Sequence, residues 1–126
     1  MTIPHRKRWV LLRHTGDPND AIGIHFDLLI EDVADCRTWK LFKIPTLDAP
    51  AQTVIQLPNH KIYWLERSAG KMSGDRGWAQ RIYQGFFVGD LPSEESNLLR
   101  IELHGTQLQG LLVIQGNQCQ LRSFDQ

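Results

Sequence analysis

Cysteine is scarce in this chain, which has only Cys36 and Cys119 among its 126 residues. Two distant cysteines without a C-x-x-C spacing exclude the disulfide-dense framework of a small secreted domain. In a reducing compartment, isolated cysteines are usually small residues of the core. We therefore expect two buried free thiols in a protein of the cytoplasm.

The sequence also lacks a long apolar run and an excess of either charge. No stretch approaches membrane-spanning length, so we expect no membrane association. Fourteen basic residues balance fourteen acidic ones, so the net charge provides no long-range attraction to nucleic acid. The clearest basic run is His5-Arg6-Lys7-Arg8. Such a run is typical of a solvated segment, so residues 1–8 are predicted to form a flexible basic tail.

No long stretch sustains the helical period, whereas alternation with period two recurs throughout. In the clearest example, Leu99, Ile101 and Leu103 share one face of a predicted strand. We predict a short helical turn at 93–97 and a break near Gly85 that divides segment 78–88 into two strands. The predicted strands occupy 9–13, 25–31, 37–42, 53–57, 62–66, 78–88, 98–104, 107–115 and 118–124.

Many short strands separated by turn residues predict one all-β domain that spans residues 1–126. We expect a small closed or partly closed β-barrel of about eight short strands, mostly antiparallel. Closure of the sheet would remove the exposed edges that otherwise pair with other chains.

A pair of polar residues in the second predicted strand is the clearest chemical signal. Residues two apart in a strand point the same way, so His25 and Asp27 project side by side. His14 ends the preceding strand, and antiparallel pairing across segment 16–23 would bring it close to His25. Two imidazoles and one carboxylate suit manganese, iron or zinc. Taken alone, however, a His-x-Asp pair on a strand is more often a hydrogen-bonded surface pair.

The order of several motifs resembles the phosphoesterase domain of bacterial DNA ligase D and its small free-standing relatives. The likeness spans residues 9–115, and no single motif in it is highly specific. It implies a manganese-dependent enzyme of DNA repair that removes a 3′-phosphate or ribonucleotide remnants from DNA or RNA 3′ ends. The motifs are an apolar strand ending in His14, then His25-Phe26-Asp27-Leu28, a strand with Trp39, and segments 57–60 and 70–77.

The resemblance also implies the roles of individual residues and the partners. The metal ligands implied are His14, His25 and Asp27. The implied second catalytic histidine is His60, and Lys43 matches a lysine near the active site. The phosphate oxygens are expected to be held by Lys43, Arg76 or Arg81, as cations must when charge develops there. The partners implied are nucleic-acid 3′ ends and a ligase or polymerase that works in trans.

Several departures from the family pattern leave other functions open. Leu29 stands where the family has a phosphate-binding arginine, whose charge and fork geometry leucine cannot replace. The family's tyrosine after the second histidine is displaced, because Tyr63 is one residue too close and Trp64 occupies the expected position. One alternative is a non-catalytic module that binds metal, phosphate or a partner protein. Another is an iron-dependent cupin-type oxygenase, in which His104 joins the His-x-Asp pair.

Overall fold

The computed structural model describes residues 6–94 and 98–124 of the chain. Within these ranges the chain forms nine strands and two short 3₁₀ helices, and no helix is long and apolar enough to cross a membrane. The 3₁₀ helices span Ile62–Leu65 and Ser73–Asp75. The strands are β1 (Arg8–Thr15), β2 (Ile24–Glu31), β3 (Asp35–Leu41), β4 (Gln52–Lys61), β5 (Ala69–Lys71), β6 (Trp78–Val88), β7 (Leu99–Gly105), β8 (Gly110–Gln115) and β9 (Gln118–Arg122).

Eight of the described strands close into an antiparallel barrel. Their order around the barrel is β1-β2-β3-β4-β9-β8-β7-β6, and β6 pairs with β1 to complete the circle. The short β5 is an additional strand that pairs with the first part of β6. The predicted all-β barrel of about eight mostly antiparallel strands is therefore confirmed.

Side chains alternate between the inside and the outside of the barrel. The interior is a large apolar cluster to which all eight barrel strands contribute, with Trp9 from β1 and Leu28 from β2. A smaller cluster lies on the outer face of β1 and β2, where Trp64 and Leu65 of the first 3₁₀ helix cover it. This outer cluster consists of Val10, Leu12, Leu29, Cys36, Trp64, Leu65, Met72 and Ala79.

The structure corrects two predicted strands. Segment 62–66 was predicted as a strand, but it contains a 3₁₀ helix that covers the outer cluster. A short apolar run does not distinguish the two, because burial on one side suits either. The predicted break near Gly85 is also wrong, since β6 is continuous from Trp78 to Val88. Gly85 instead allows the backbone of β6 to lie close to His104 of β7 and to the Trp9 side chain. An added Cβ would lie 2.8 Å from the carbonyl carbon of His104 and from Trp9 Nε1.

The basic segment at the start of the chain is held against the barrel. Arg8 is the first residue of β1 and forms ion pairs with Glu31 and Glu66, each at 3.2 Å. The guanidinium of Arg6 lies 4.3 Å from the centre of the Phe86 ring. Arg8 therefore belongs to β1 and not to the predicted flexible tail, and residues 1–5 of that tail lie outside the described ranges.

Two further predictions concern the cysteines and a helical turn. Cys36 and Cys119 are both buried free thiols, as expected. Burial raises the pKa of each thiol to about 12, which keeps both protonated and unreactive at neutral pH. In the predicted turn at 93–97, Ser93 and Glu94 form a bend rather than helix, and 95–97 lie outside the described residues.

Candidate metal centre

The three predicted ligands lie together on two neighbouring strands. β1 and β2 pair antiparallel with His14 directly opposite His25, which is the pairing expected from the sequence. Asp27 follows two residues along β2 on the same face. One ligand atom from each of the three side chains lies within 4.8 Å of the others. These residues form the candidate metal centre.

The centre lies on the outside of the barrel, next to the outer cluster. His14 continues the face of Val10 and Leu12 along β1, and Asp27 precedes Leu29 on the same face of β2. His14, His25 and Asp27 expose only 5%, 2% and 1% of their surface, respectively. A polar group this deeply buried must be satisfied by hydrogen bonds or by a bound ion.

Asp27 lies between the two imidazoles, and one of its oxygens is not satisfied. His14 Nδ1 donates to Asp27 Oδ2 at 3.1 Å. His25 Nε2 is 3.1 Å from Asp27 Oδ1, within ion-pair distance but outside hydrogen-bond alignment. Among the described residues, Asp27 Oδ1 therefore has no hydrogen-bond partner although it is buried. A cation at this point would remove the cost of the unpaired acceptor.

The far nitrogen of each imidazole is held by an oxygen. His14 Nε2 lies 2.5 Å from the backbone carbonyl of Arg76, and His25 Nδ1 lies 2.9 Å from Asp20 Oδ2. These oxygens only accept, so both far nitrogens carry protons, and His14 Nδ1 and His25 Nε2 face Asp27. Metal-ligating histidines nearly always donate their other N–H in this way. The donor set therefore fits a divalent ion such as manganese, iron or zinc.

The protonation of the metal-free centre also favours positive charge at this point. Burial acts to raise the pKa of the Asp27 carboxyl, but the interactions with His14 and with His25 outweigh it and hold the pKa at about 2. Burial acts to lower the pKa of His14, but Asp27 and the Arg76 carbonyl outweigh it and raise the pKa. His14 has an acceptor at each ring nitrogen, so the imidazolium is the form that satisfies both.

These shifts predict how the stability of the metal-free protein depends on pH. The folded pKa of Asp27, about 2, is below its ordinary 3.8, so its contribution is present above about pH 4 and is lost as the pH falls toward 2. The folded pKa of His14 is above its ordinary 6.5, so its contribution is present below about pH 6.5 and is lost as the pH rises through the raised value. The stabilisation by this pair is therefore largest between these two limits.

Urea denaturation with a chelator present measures this effect in the wild-type protein and in Asp27→Asn. We expect the difference in unfolding free energy between the two proteins to peak in weakly acidic solution and to shrink on either side. The variant provides the control, because every other titrating group is common to both proteins. A difference in unfolding free energy that continues to grow above neutral pH would contradict the raised pKa of His14 as its cause.

Two of the other predicted site residues line one cleft beside the centre. His60 and Arg76 share a cleft of about 290 Å³ with Tyr63 and Trp64. His60 Nδ1 donates to the Pro58 carbonyl at 3.1 Å, which leaves Nε2 as the acceptor nitrogen of the neutral ring. Because the backbone carbonyl of Arg76 also contacts His14, Arg76 connects the cleft to the centre.

The side chain of Arg76 is fixed on one side. Its Nε donates to the backbone carbonyl of Ser73 and its Nη2 to the hydroxyl of Ser73, both at 2.8 Å. A guanidinium has five N–H groups in a planar fork, so these two bonds orient the group and leave other donors for a ligand.

The structure does not bring Lys43 together with these residues. Lys43 follows the end of β3 and lines a separate pocket with Pro45 and Gln120. Lys40 lies closer to the centre, because β3 places it directly opposite Asp27. The pKa of the Asp20 carboxyl is lowered first by its hydrogen bond with His25 and also by the charge of Lys40. The charge of Lys40 therefore acts on the Asp20 carboxyl beside the centre.

The alternative third ligand, His104, is wrong as a partner of the His-x-Asp pair. His104 lies on β7, stacked on Phe86 at 4.8 Å and on Phe124 at 5.3 Å between ring centres. Its Nε2 is 3.4 Å from a carboxylate oxygen of Glu102. The cupin-type arrangement therefore has no third ligand at that position.

Sequence reasoning missed two residues of this centre. Asp20 belongs to segment 16–23, which the sequence pattern indicates only as the connection between the two ligand strands. An acidic residue in a short loop joining two ligand strands is a usable signal for such a partner. Lys40 carries a weaker signal, because its face is known only once the β2–β3 register is known.

The fold and the site together define a closed antiparallel β-barrel with a candidate divalent metal centre on its outer face. No protein-family model and no curated protein matches the chain. The likeness to the phosphoesterase domain of DNA ligase D rests on the motifs quoted above.

Proposed function

We propose that the protein is a metal-dependent phosphoesterase that acts on nucleic-acid 3′ ends. The observation that carries this proposal is the group of His14, His25 and Asp27, whose ligand atoms lie within 4.8 Å and include an unpaired buried oxygen. A divalent ion held by these residues would supply positive charge for phosphate oxygens and would lower the pKa of its bound water toward neutral. Manganese is the ion that the resemblance implies, and zinc or iron also suits the donor set.

The cleft beside the centre supplies groups for phosphate chemistry. In the proposed reaction, His60 enters as the imidazolium and gives its Nε2 proton to the leaving oxygen, and the neutral ring that remains keeps its Nδ1 proton on the Pro58 carbonyl. Arg76 presents the remaining N–H groups of its fork to the phosphate oxygens. Its two bonds to Ser73 reduce the ordering cost of that contact.

A second cation compensates for the missing family arginine. Leu29, at the arginine position, is fully buried in the outer cluster, where it packs rather than binds. Lys40 brings a positive charge to the same face from the neighbouring strand, opposite Asp27. In this proposal Lys40 therefore takes the electrostatic role expected of Lys43.

The neutral net charge shapes how the protein would meet its substrate. Fourteen cations and fourteen anions give no long-range attraction to a duplex, so binding would depend on local contacts at the 3′ end. A ligase or polymerase partner that works in trans would then bring the protein to damaged ends.

A non-catalytic metal-binding module is the second candidate, and a specific observation favours it. Catalytic metal sites keep an open position for water or substrate, whereas structural sites are closed. His14, His25 and Asp27 expose at most 5% of their surface, which is typical of a closed site. Such a module would keep the metal and the pocket without turnover.

Manganese-dependent release of phosphate from a 3′-phosphorylated DNA primer separates the two candidates. We expect turnover by the wild-type protein and none by His25→Ala, because the alanine removes a ligand. His60→Ala should lower kcat by about 100-fold or more, the usual contribution of a general acid. The matched control is His104→Ala, which removes a histidine that stacks on Phe86 away from the centre.

The outcomes have distinct meanings. Turnover that is lost in His25→Ala and kept in His104→Ala supports the phosphoesterase. Tight manganese binding by calorimetry without turnover on any 3′-blocked end supports the non-catalytic module. Absence of metal binding by the wild-type protein overturns both.

A further inference from the structure

Asp20 lies in the loop between β1 and β2 and uses both carboxylate oxygens. Its Oδ2 accepts from His25 Nδ1 at 2.9 Å, and its Oδ1 accepts from the backbone N–H of Ile22 at 3.1 Å. The side chain is 5% exposed and the residue as a whole is half-buried, so water has little access to the bond with His25. A charge-assisted bond in such surroundings is among the stronger hydrogen bonds of a protein.

The loop that carries Asp20 is closed by its own backbone hydrogen bonds. Asp20 N–H donates to the Asp17 carbonyl at 3.0 Å, and Gly23 N–H donates to the Asp20 carbonyl at 3.1 Å. Gly16 N–H donates to the Gly23 carbonyl at 3.3 Å, where the loop joins the two ligand strands. The carboxylate of Asp20 therefore contacts His25 from a loop whose conformation is fixed by its own backbone hydrogen bonds.

We infer that Asp20 is the positioning residue of the metal centre, holding His25 with the proton on Nδ1 and the lone pair of Nε2 directed toward Asp27. The inference rests on the metal binding in the proposed function and does not require turnover. A carboxylate behind a ligating histidine fixes the ring and raises its basicity. With Asp20 in place, the His25 imidazole can bind the metal through Nε2 without a change of tautomer or a ring flip.

Asp20→Asn tests this role while keeping the shape of the side chain. The asparagine oxygen can replace Oδ1 at Ile22 N–H, but its amide NH₂ then faces His25 Nδ1 and donates to it. The ring proton is thereby moved to Nε2, the nitrogen that must face the metal. We expect the affinity for Mn²⁺ in calorimetry to fall by about 10- to 100-fold, the usual effect of removing such a partner.

Asp17→Asn is the matched control in the same loop. Asp17 Oδ1 accepts from the backbone N–H of Asn19 at 3.0 Å, and asparagine keeps that acceptor. The control makes the same chemical change three residues away, without the bond to His25. Its Mn²⁺ affinity should stay within about threefold of the wild type, since Asp17 is half-buried and acts on the centre only through its charge on His14.

NMR of the wild-type protein tests the inference without a variant. Correlations from the ring protons to the ring nitrogens of the zinc-loaded protein should place the His25 proton on Nδ1, with Nε2 bound to zinc. A purely structural role of Asp20 would not fix that tautomer.

Four results would be informative. Zinc bound through Nδ1 of His25, or unchanged Mn²⁺ affinity in Asp20→Asn beside tight binding by the wild type, overturns the role of Asp20 and leaves the metal centre intact. Weaker binding in Asp20→Asn but not in Asp17→Asn supports it. A wild-type protein that binds no divalent metal overturns the proposed function and this inference together.

Discussion

Replacing Asp27 with alanine is expected to abolish measurable Mn²⁺ binding. The substitution removes the carboxylate that lies between the two imidazoles, 3.1 Å from a nitrogen of each. His14 and His25 alone leave two neutral donors and no negative charge to offset a divalent ion. Calorimetry with Mn²⁺ measures the loss. Binding by Asp27→Ala with wild-type affinity would show that the metal site lies elsewhere.

The same variant should also be destabilised when no metal is present. Asp27 is one of the groups that raise the pKa of the buried His14, so its removal forces the ring either to lose its proton or to stay charged without a counter-ion. Loss of one partner of a buried ion pair typically costs about 3–5 kcal/mol. Urea denaturation near pH 6 with a chelator measures the free energy of unfolding. The control is Glu102→Ala, whose half-exposed pair with His104 should contribute less than about 1 kcal/mol.

The part of the centre that follows from strand geometry could be predicted from the sequence. Alternation within one strand places His25 and Asp27 on one face, and a loop long enough to return the chain places His14 opposite them. Alternation also predicts the all-β barrel, because the apolar face of each strand must be buried. Both inferences need only the local pattern and one antiparallel pairing.

The residues that the sequence did not place depend on tertiary contacts. Lys40 and Lys43 differ by three positions, and only the β2–β3 register shows that Lys40 lies opposite Asp27. The 3₁₀ helix at Ile62–Leu65 forms where the chain crosses the outer cluster, and its apolar run suits a strand equally well. Asp20 is effective only because its loop folds back onto His25.

Gly77 is a backbone position on which the centre depends. Its φ is +98°, a conformation that alanine adopts at a cost. An added Cβ would overlap the Thr15 carbonyl oxygen and lie 2.7 Å from the carbonyl carbon of Gly16 and 2.9 Å from Asp17 N. All three are backbone atoms at the end of β1, so no side-chain rotation relieves the overlap. Gly77→Ala must therefore move the chain around Arg76, whose carbonyl contacts His14.

We expect Gly77→Ala to lower the free energy of unfolding by about 2–5 kcal/mol, because overpacking costs about 1–3 kcal/mol and a left-handed alanine about 1–2 kcal/mol. Gly116→Ala is the control, since φ is +60° there and no described atom lies within 4 Å of the added Cβ. The free energy of unfolding of Gly116→Ala should fall only by the cost of a left-handed alanine, about 1–2 kcal/mol. Mn²⁺ affinity should also fall in Gly77→Ala and stay unchanged in Gly116→Ala, because only the first displaces the carbonyl that orients His14. Equal losses of stability in the two variants would show that the segment around Gly77 yields without strain, and that the Arg76 carbonyl is not a fixed part of the centre.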